Sequence, residues 1–201
     1  MLEQMKNIAG TKGGSGVWQQ IISQIPPIDV WIEPFWGRGT IATKMRRPAC
    51  VIGCDQDLDA LSHGRDVGAL MFETDGLKFM RDYFRLAADD ASGAQERQIL
   101  RHRPVPRSTP SRDAARLGGF PSRRHFVYFD PPYHEVRDYY EIKWTDLDHL
   151  ELFRIFRQMP CYSAISGYRT PLYERELAGF RTIDIPTVNR AGRRVIETLW
   201  M

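Results

Sequence analysis

The chain has 201 residues, 42% hydrophobic and 26% charged, enough for one α/β domain with a sizeable core. No apolar run approaches the length of a membrane span and no signal-peptide stretch opens the chain, so a cytoplasmic protein without a membrane role is expected. The net charge of +3 hides an uneven distribution: eight Arg and no Lys lie between Arg97 and Arg124, opposed only by Asp113, so that segment carries +7 and the rest −4. One basic segment on an acidic body suggests a polyanion bound at one place.

Taken in chain order, residues 1–16 are polar and Gly-rich, and a helix is predicted from Val17 to Ile25, closed by Pro26-Pro27. A first strand reads Asp29–Glu33. The turn Pro34-Phe35-Trp36-Gly37-Arg38-Gly39 follows, then a helix from Thr40 to about Arg46. A second strand, Ala49–Cys54, ends at Asp55. A helix from about Asp57 and a short strand, Ala69–Glu73, lead to Thr74-Asp75-Gly76, and a helix resumes over 77–86. Residues 87–124 break the pattern, being rich in Ala, Ser, Gly, Pro and Arg, with a short helix conceivable over 95–101. This segment is read as an insertion into a domain formed by 1–86 and 125–201.

The apolar run Phe126–Phe129 reads as a buried strand that Pro131-Pro132 must break. Thr145-x-x-Asp148 has the form of a capping box for a helix from Asp146 to Gln158, with Leu147, Leu150, Phe153 and Ile155 or Phe156 on its apolar side. A strand over Tyr162–Ser166 precedes Gly167-Tyr168. An antiparallel pair, 181–188 with 194–200, is predicted through Asn189-Arg190-Ala191-Gly192. Strands alternating with helices imply a mostly parallel, Rossmann-like sheet, here with a C-terminal antiparallel β-hairpin.

The three cysteines (Cys50, Cys54, Cys161) are odd in number and contain no C-x-x-C, so they read as reduced core thiols. The five His show no ligand spacing with them, and no metal is expected. Strand, then Gly37-x-Gly39, then helix suits close backbone approach to a nucleotide-like ligand. Asp55 at the end of the second strand can accept from both hydroxyls of a ribose, and Asp75 after the third is placed to meet an adenine amino group. No third glycine completes G-x-G-x-x-G and no phosphate-loop motif occurs, which disfavours dinucleotides and nucleoside triphosphates. Asp130-Pro131-Pro132-Tyr133 offers a carboxylate, a rigid stretch with available carbonyls, and an aromatic face. Such groups suit an amino group on a flat heteroaromatic ring.

DPPY after an apolar strand resembles motif IV of the DNA adenine-N6 methyltransferases. EPFWGRG (residues 33–39) resembles motif I of S-adenosylmethionine-dependent methyltransferases, and KGGSG (12–16) resembles their N-terminal motif X. With TDLDHL, SGY and RAGRRVIETLW, the chain resembles the small phage-type DNA adenine methylases (Dam-like, D12 class) over most of its length, residues 87–124 excepted. The resemblance implies S-adenosylmethionine as cofactor and S-adenosylhomocysteine as product, in the cytoplasm of a bacterium or a phage-infected host. Lys12, Gly13, Glu33, Phe35, Gly37, Gly39, Asp55 and Asp75 would be the cofactor contacts. Asp130, Pro131, Pro132 and Tyr133 would be catalytic, with Tyr168 a second stacking wall. Trp36 and Arg38 are bulkier than is usual in motif I, and Ser15 stands where relatives carry a base.

By that resemblance, Asp130 and the Pro131 carbonyl would accept both protons of the target amine, favouring a pyramidal nitrogen whose lone pair can attack a sulfonium methyl. The base would be flipped out of duplex DNA or arrive single-stranded. Larger relatives insert a recognition domain where this chain has its Arg-rich segment. Arg101, Arg103, Arg107, Arg112, Arg116, Arg123 and Arg124 are the candidate nucleic-acid contacts, implying weak or short-site specificity. The same chemistry on RNA, cytosine-N4 methylation and an inactive nucleic-acid-binding partner subunit remain alternatives. The recognition site, oligomeric state and biological role stay open.

Overall fold

A computed structural model of the chain describes residues 16–46, 48–89, 124–134, 144–189 and 192–201. The elements in order are α1 (Val17–Ser23), β1 (Val30–Glu33), α2 (Thr40–Lys44), β2 (Cys50–Asp55), α3 (Leu58–Asp66), β3 (Leu70–Glu73), α4 (Gly76–Asp89), β4 (His125–Phe129), α5 (Asp146–Arg157), β5 (Tyr162–Gly167), α6 (Pro171–Glu176), β6 (Thr182–Val188) and β7 (Arg194–Trp200). The strands form one seven-stranded sheet in the order β3-β2-β1-β4-β5-β7-β6. The pairs from β3 through β5 are parallel, and β7 is antiparallel to both β5 and β6. This is an α/β fold with a mostly parallel, Rossmann-like sheet and a C-terminal antiparallel β-hairpin.

Strand sequence follows strand position. The central strands β1 (VWIE) and β4 (HFVYF) are buried at every residue, as a strand covered on both faces requires. The edge strand β6 alternates, and it contains Pro186, whose missing N–H costs nothing on an open edge. The opposite edge, β3, has four residues. Short edges discourage pairing with another chain.

Side-chain alternation sorts the core into two layers. Trp31, Phe126, Tyr128, Ala164, Ile185 and Leu199 point to one face, with Val17 and Ile21 of α1, Ile41 of α2 and Leu61 of α3. Ile32, Val127, Phe129, Ile165 and Trp200 point to the other, with Leu77 and Met80 of α4, Phe153 of α5 and Leu172 of α6. Among the described residues three helices therefore cover each face. Trp31 stacks on Phe126 at 5.5 Å between ring centroids with planes 2° apart, and on Tyr128 at 5.5 Å. Each such contact adds about 0.5–1.5 kcal/mol beyond burial.

Several expectations need adjustment. In α5 the buried residues are His149, Leu152, Phe153, Ile155 and Phe156, with Leu150 half-buried against the same core. Leu147 is 74% exposed, because two residues before His149 is the far side of the helix. The capping box is present: the Asp148 carboxylate accepts from the Thr145 N–H at 2.7 Å. The short helix α6 is not apparent from periodicity; its signature is Thr170, whose Oγ1 accepts from the Tyr173 N–H, followed by Pro171 in the first turn. The expected C-terminal antiparallel pair forms, with β7 lying between β5 and β6 in the sheet. Helix α4 continues to Asp89, three residues into the range read as an insertion; residues 90–123 lie outside the described residues. Among the described residues no helix is long and apolar enough to cross a membrane.

Candidate active site

The carboxyl ends of the parallel strands carry the polar side chains that composition alone would put on the surface. At β1, Glu33 is 2% exposed and its Oε2 accepts from the Trp31 indole N–H at 2.9 Å. The turn that follows needs its glycines for different reasons. Gly37 and Gly39 have φ of 49° and 53°, in the left-handed region. A Cβ on Gly37 would meet nothing within 4 Å, whereas one on Gly39 would lie 2.2 Å from the Trp36 ring. The outer face of the turn is thus open and its underside is filled by Trp36, which is 2% exposed in the core. The bulk of Trp36 therefore lies beneath the turn.

Asp55 ties this turn to β2. Its Oδ2 accepts from the Gly37 N–H at 2.7 Å, and its Oδ1 accepts from the N–H groups of Gln56 and Asp57 at 2.8 and 3.0 Å. These use three of the roughly four acceptor positions of a carboxylate. Asp75 caps α4, its Oδ1 accepting from the Lys78 N–H at 2.8 Å. Its Oδ2 accepts from Gln56 Nε2 at 3.3 Å, so Gln56 links the β2 and β3 ends. Phe35 lies on the other side, edge-on to Trp144 at 5.1 Å, and its ring crosses so near Gly76 that a Cβ there would lie 2.2 Å away. Among the expected cofactor contacts, Glu33, Gly37, Gly39, Asp55 and Asp75 gather along the ends of β1, β2 and the β3–α4 turn. Lys12 and Gly13 lie outside the described residues.

One strand away from β1, β4 delivers the DPPY loop. Asp130 continues the face of Phe126 and Tyr128, and its Oδ1 accepts from the Ser166 hydroxyl of β5 at 3.0 Å. Ser166 in turn accepts from the Tyr128 hydroxyl at 2.9 Å, and both are fully buried. The Tyr128 phenol is held well above its ordinary range, first by burial and then by the charges of Asp130, Glu197 and Glu33. It stays protonated and donates, which fixes the direction of the chain: Tyr128 to Ser166 to Asp130. Pro131 is buried, and Pro132 and Tyr133 are half-buried. The Tyr133 ring meets Tyr168 edge-on at 4.7 Å and 73°, and its hydroxyl donates to Glu197 Oε1 at 2.6 Å.

Behind the loop, His134 Nε2 lies 3.1 Å from Asp146 Oδ1 and its Nδ1 lies 3.1 Å from Thr170 Oγ1. His149 packs edge-on to it at 5.1 Å and has its Nδ1 3.1 Å from the Tyr173 hydroxyl. Burial, then the neighbouring His134, push the His149 pKa down to about 4, so it is neutral near pH 7.

Of the seven arginines expected to meet nucleic acid, Arg101, Arg103, Arg107, Arg112, Arg116 and Arg123 lie outside the described residues. Arg124 precedes β4, at the amino edge of the sheet, and its guanidinium is paired with Asp29 at 3.1 and 3.2 Å. A strand's length, about 20 Å at 3.3 Å per residue, separates it from Asp130. Among the described residues no group of three or more His, Cys, Asp or Glu could hold a metal ion.

No protein-family model matches the sequence, and no curated protein matches it. Solved structures of similar fold include a dimethyladenosine transferase from Plasmodium falciparum, with 14% identity and TM-score 0.47 over 93% of this chain and 62% of that one. A precorrin 8w decarboxylase from Methanobacterium thermoautotrophicum has 13% identity and TM-score 0.49 over 96% and 93% of the two chains. A magnesium protoporphyrin IX methyltransferase from Synechocystis, with S-adenosylmethionine bound, has 12% identity and TM-score 0.47 over 91% and 77%. The chain spans about 62% of the length of the first of these. At such identities the likeness concerns the arrangement of the fold, and what those proteins bind or act on is theirs alone.

Sequence reading missed three members of the site as functional groups: Tyr128, Glu197 and Gln56. Strand period would have found two of them. Tyr128 and Glu197 share a sheet face with Asp130 and Ser166, and Glu197 is a carboxylate inside an otherwise buried run, Glu197–Trp200.

Proposed function

We propose that this protein transfers a methyl group from S-adenosylmethionine to the N6 amino group of adenine in DNA, with weak or short-site specificity. The observation that carries the reading is the Asp130 carboxylate, held by Ser166 at the end of β4, with the Tyr133 ring in the same loop and the open Gly37 turn one strand away.

The residues at the ends of β1 to β3 fit the cofactor. The Gly37 turn is open outward, Asp55 keeps one of about four acceptor positions for a ribose hydroxyl, and Asp75 with Gln56 offers an acceptor and donor for an adenine edge. When bound there, S-adenosylmethionine would supply an electrophilic methyl on a sulfonium and leave as S-adenosylhomocysteine. The packing of Trp36 beneath the turn supports an accessible site and weakens the case for an inactive partner subunit.

At the amine site the chain's own groups do the work. An exocyclic amine is a poor nucleophile, since its lone pair is delocalised into the ring. Asp130 and the Pro131 carbonyl accept its two N–H bonds and turn the lone pair out of the ring plane. As the nitrogen takes the methyl it must shed one of those protons, which leaves along the acceptor already holding it. Asp130 is preorganised for this because Ser166 fixes its carboxylate before substrate arrives. Tyr133 and Tyr168 supply aromatic surface for a base taken out of its stack. The run of arginines in the sequence supports a polyanionic substrate.

The test is methyl transfer from labelled cofactor to unmethylated DNA and to RNA, with products digested to nucleosides and identified by mass. N6-methyladenine from DNA, lost in Asp130→Ala, is the expected result. Methyladenine from RNA alone would move the substrate to RNA, and methylcytosine alone would overturn the adenine assignment.

A further inference from the structure

Glu197 is a carboxylate at 3% exposure in β7; among the described strand residues it shares that degree of burial with one other carboxylate, Glu33 of β1. Such a group is costly to bury, and a Gln or a hydrophobe would fill the position more cheaply. Its place follows from topology. Ser166 pairs with Leu199 and Gly167 with Thr198 where β5 and β7 run antiparallel. One step further along that register lies Glu197, level with Tyr168. The insertion of β7 between β5 and β6 therefore brings a carboxylate to the carboxyl end of β5, beside the DPPY loop.

There the Tyr133 hydroxyl donates to Glu197 Oε1 at 2.6 Å, the length of a charge-assisted bond. The rest of the ring is set by the rigid Pro131-Pro132 backbone before it and by Tyr168, edge-on at 4.7 Å. A tyrosine in a loop has two free side-chain torsions; anchoring its hydroxyl removes the swing of the ring and leaves one plane presented to the pocket.

We infer that Glu197 is a positioning residue: by holding the Tyr133 hydroxyl it fixes the ring plane against which the target base stacks. The inference rests on the proposed nucleic-acid reaction. Glu197 touches neither base nor cofactor in this scheme, so it acts on base engagement through Tyr133 and leaves cofactor affinity alone. Removing it and removing the Tyr133 hydroxyl should then be one lesion, not two.

The experiment uses the full chain and a DNA oligonucleotide with 2-aminopurine at the target, whose fluorescence reports unstacking and restacking independently of methyl transfer. Wild type, E197A, E197Q, Y133F and the Y133F/E197A double variant are compared. The readouts are 2-aminopurine fluorescence, KM for DNA, kcat and cofactor affinity. E197A and Y133F are each expected to raise KM for DNA about 5- to 20-fold, a fraction of one base–aromatic stacking interaction, with kcat and cofactor affinity within about 2-fold. The double variant should match the singles, and E197Q, which keeps an acceptor oxygen, should recover most of the loss. Thermal unfolding of each variant separates this from loss of fold, because a merely structural role would lower stability without the split between KM and kcat. Multiplying effects in the double variant, a loss confined to kcat, or unchanged KM in E197A would overturn the inference while leaving the methylation reading intact. A 2-aminopurine response that depends on Glu197, without methyl transfer by wild type, would overturn the methylation reading alone. Neither a response nor methyl transfer in wild type would overturn both.

Discussion

Gly37 and Asp55 reach each other through a backbone N–H, and Asp55 and Asp75 each also accept from backbone N–H groups within the next three residues. Asp130 and Tyr133 are held instead by side chains that arrive from β5 and β7, 36 and 64 residues further along the chain. The proposed cofactor side is thus mostly turn and cap chemistry of neighbouring strands, its hydrogen-bonded links spanning at most 19 residues. The proposed amine side exists only when the whole sheet has assembled, so its geometry is set by long-range contacts and is the part most exposed to distant substitutions.

The comparison breaks most sharply on the two acids. Asp130→Ala is expected to cut kcat by about 10²- to 10³-fold, the scale of losing one preorganised group at the reacting centre, while cofactor affinity holds. Asp55→Ala should do the reverse: cofactor affinity falls about 10- to 100-fold, as for a lost hydrogen bond to a charged group, with kcat at saturating cofactor little changed. Calorimetric titration of cofactor beside single-turnover transfer reads both, and equal losses in both quantities for either variant would erase the division.

Within the turn, Gly39→Ala sets a Cβ 2.2 Å from the buried Trp36 ring at positive φ, whereas Gly37→Ala at positive φ meets open space. The left-handed conformation alone costs about 1–2 kcal/mol, and overpacking a core adds about 1–3 kcal/mol. Urea unfolding should therefore show a loss of about 3 kcal/mol for Gly39→Ala and about 1 kcal/mol for Gly37→Ala. Similar midpoints for the two would mean Trp36 moves aside freely.

A pH-dependent contribution belongs to the amine side. His149 titrates near 4 in the folded chain against an ordinary value of 6.5. Between those values the unfolded chain binds the extra proton, so stability rises with pH across the window. The contribution is full above about 6.5 and is lost as pH falls through about 4, amounting to roughly 3 kcal/mol at 1.36 kcal/mol per unit. His149→Gln keeps a polar group but does not titrate, and its unfolding free energy should vary less between pH 4 and 6.5. A wild-type slope retained in the variant would assign the effect elsewhere.

Legibility in the sequence divides along the same line as the site. The strand runs, the glycine turn, Asp55, the Thr145–Asp148 box and the DPPY break all depend on neighbours within a few residues, where period and turn chemistry apply. The entry of β7 between β5 and β6, and hence the meeting of Glu197 with Tyr133, depends on pairing across the whole sheet, which no local pattern encodes. Trp36 read as a large residue in a small-residue turn because sequence gives spacing and not side-chain direction; packing turned it inward. Arg124 read as part of a basic run, yet the start of β4 pairs it with Asp29.

The smallest effect concerns the support of Asp130 and tests whether long-range scaffolding reaches the chemistry. Ser166→Ala removes the donor to Asp130 and the acceptor of Tyr128 at once. The carboxylate then keeps its charge but loses its fixed rotamer, so kcat should fall about tenfold, below the cost of deleting Asp130 itself. Tyr128→Phe leaves Ser166 in place and removes the donor behind it, so its effect should be about two- to threefold. The series Asp130→Ala, Ser166→Ala, Tyr128→Phe thus steps outward from the amine through one hydrogen-bonded chain, and kcat should recover at each step while KM and cofactor affinity hold. A Tyr128→Phe defect as large as that of Ser166→Ala would show the phenol acting directly on the site and not through the serine, and the chain would have to be redrawn with Tyr128 at its head.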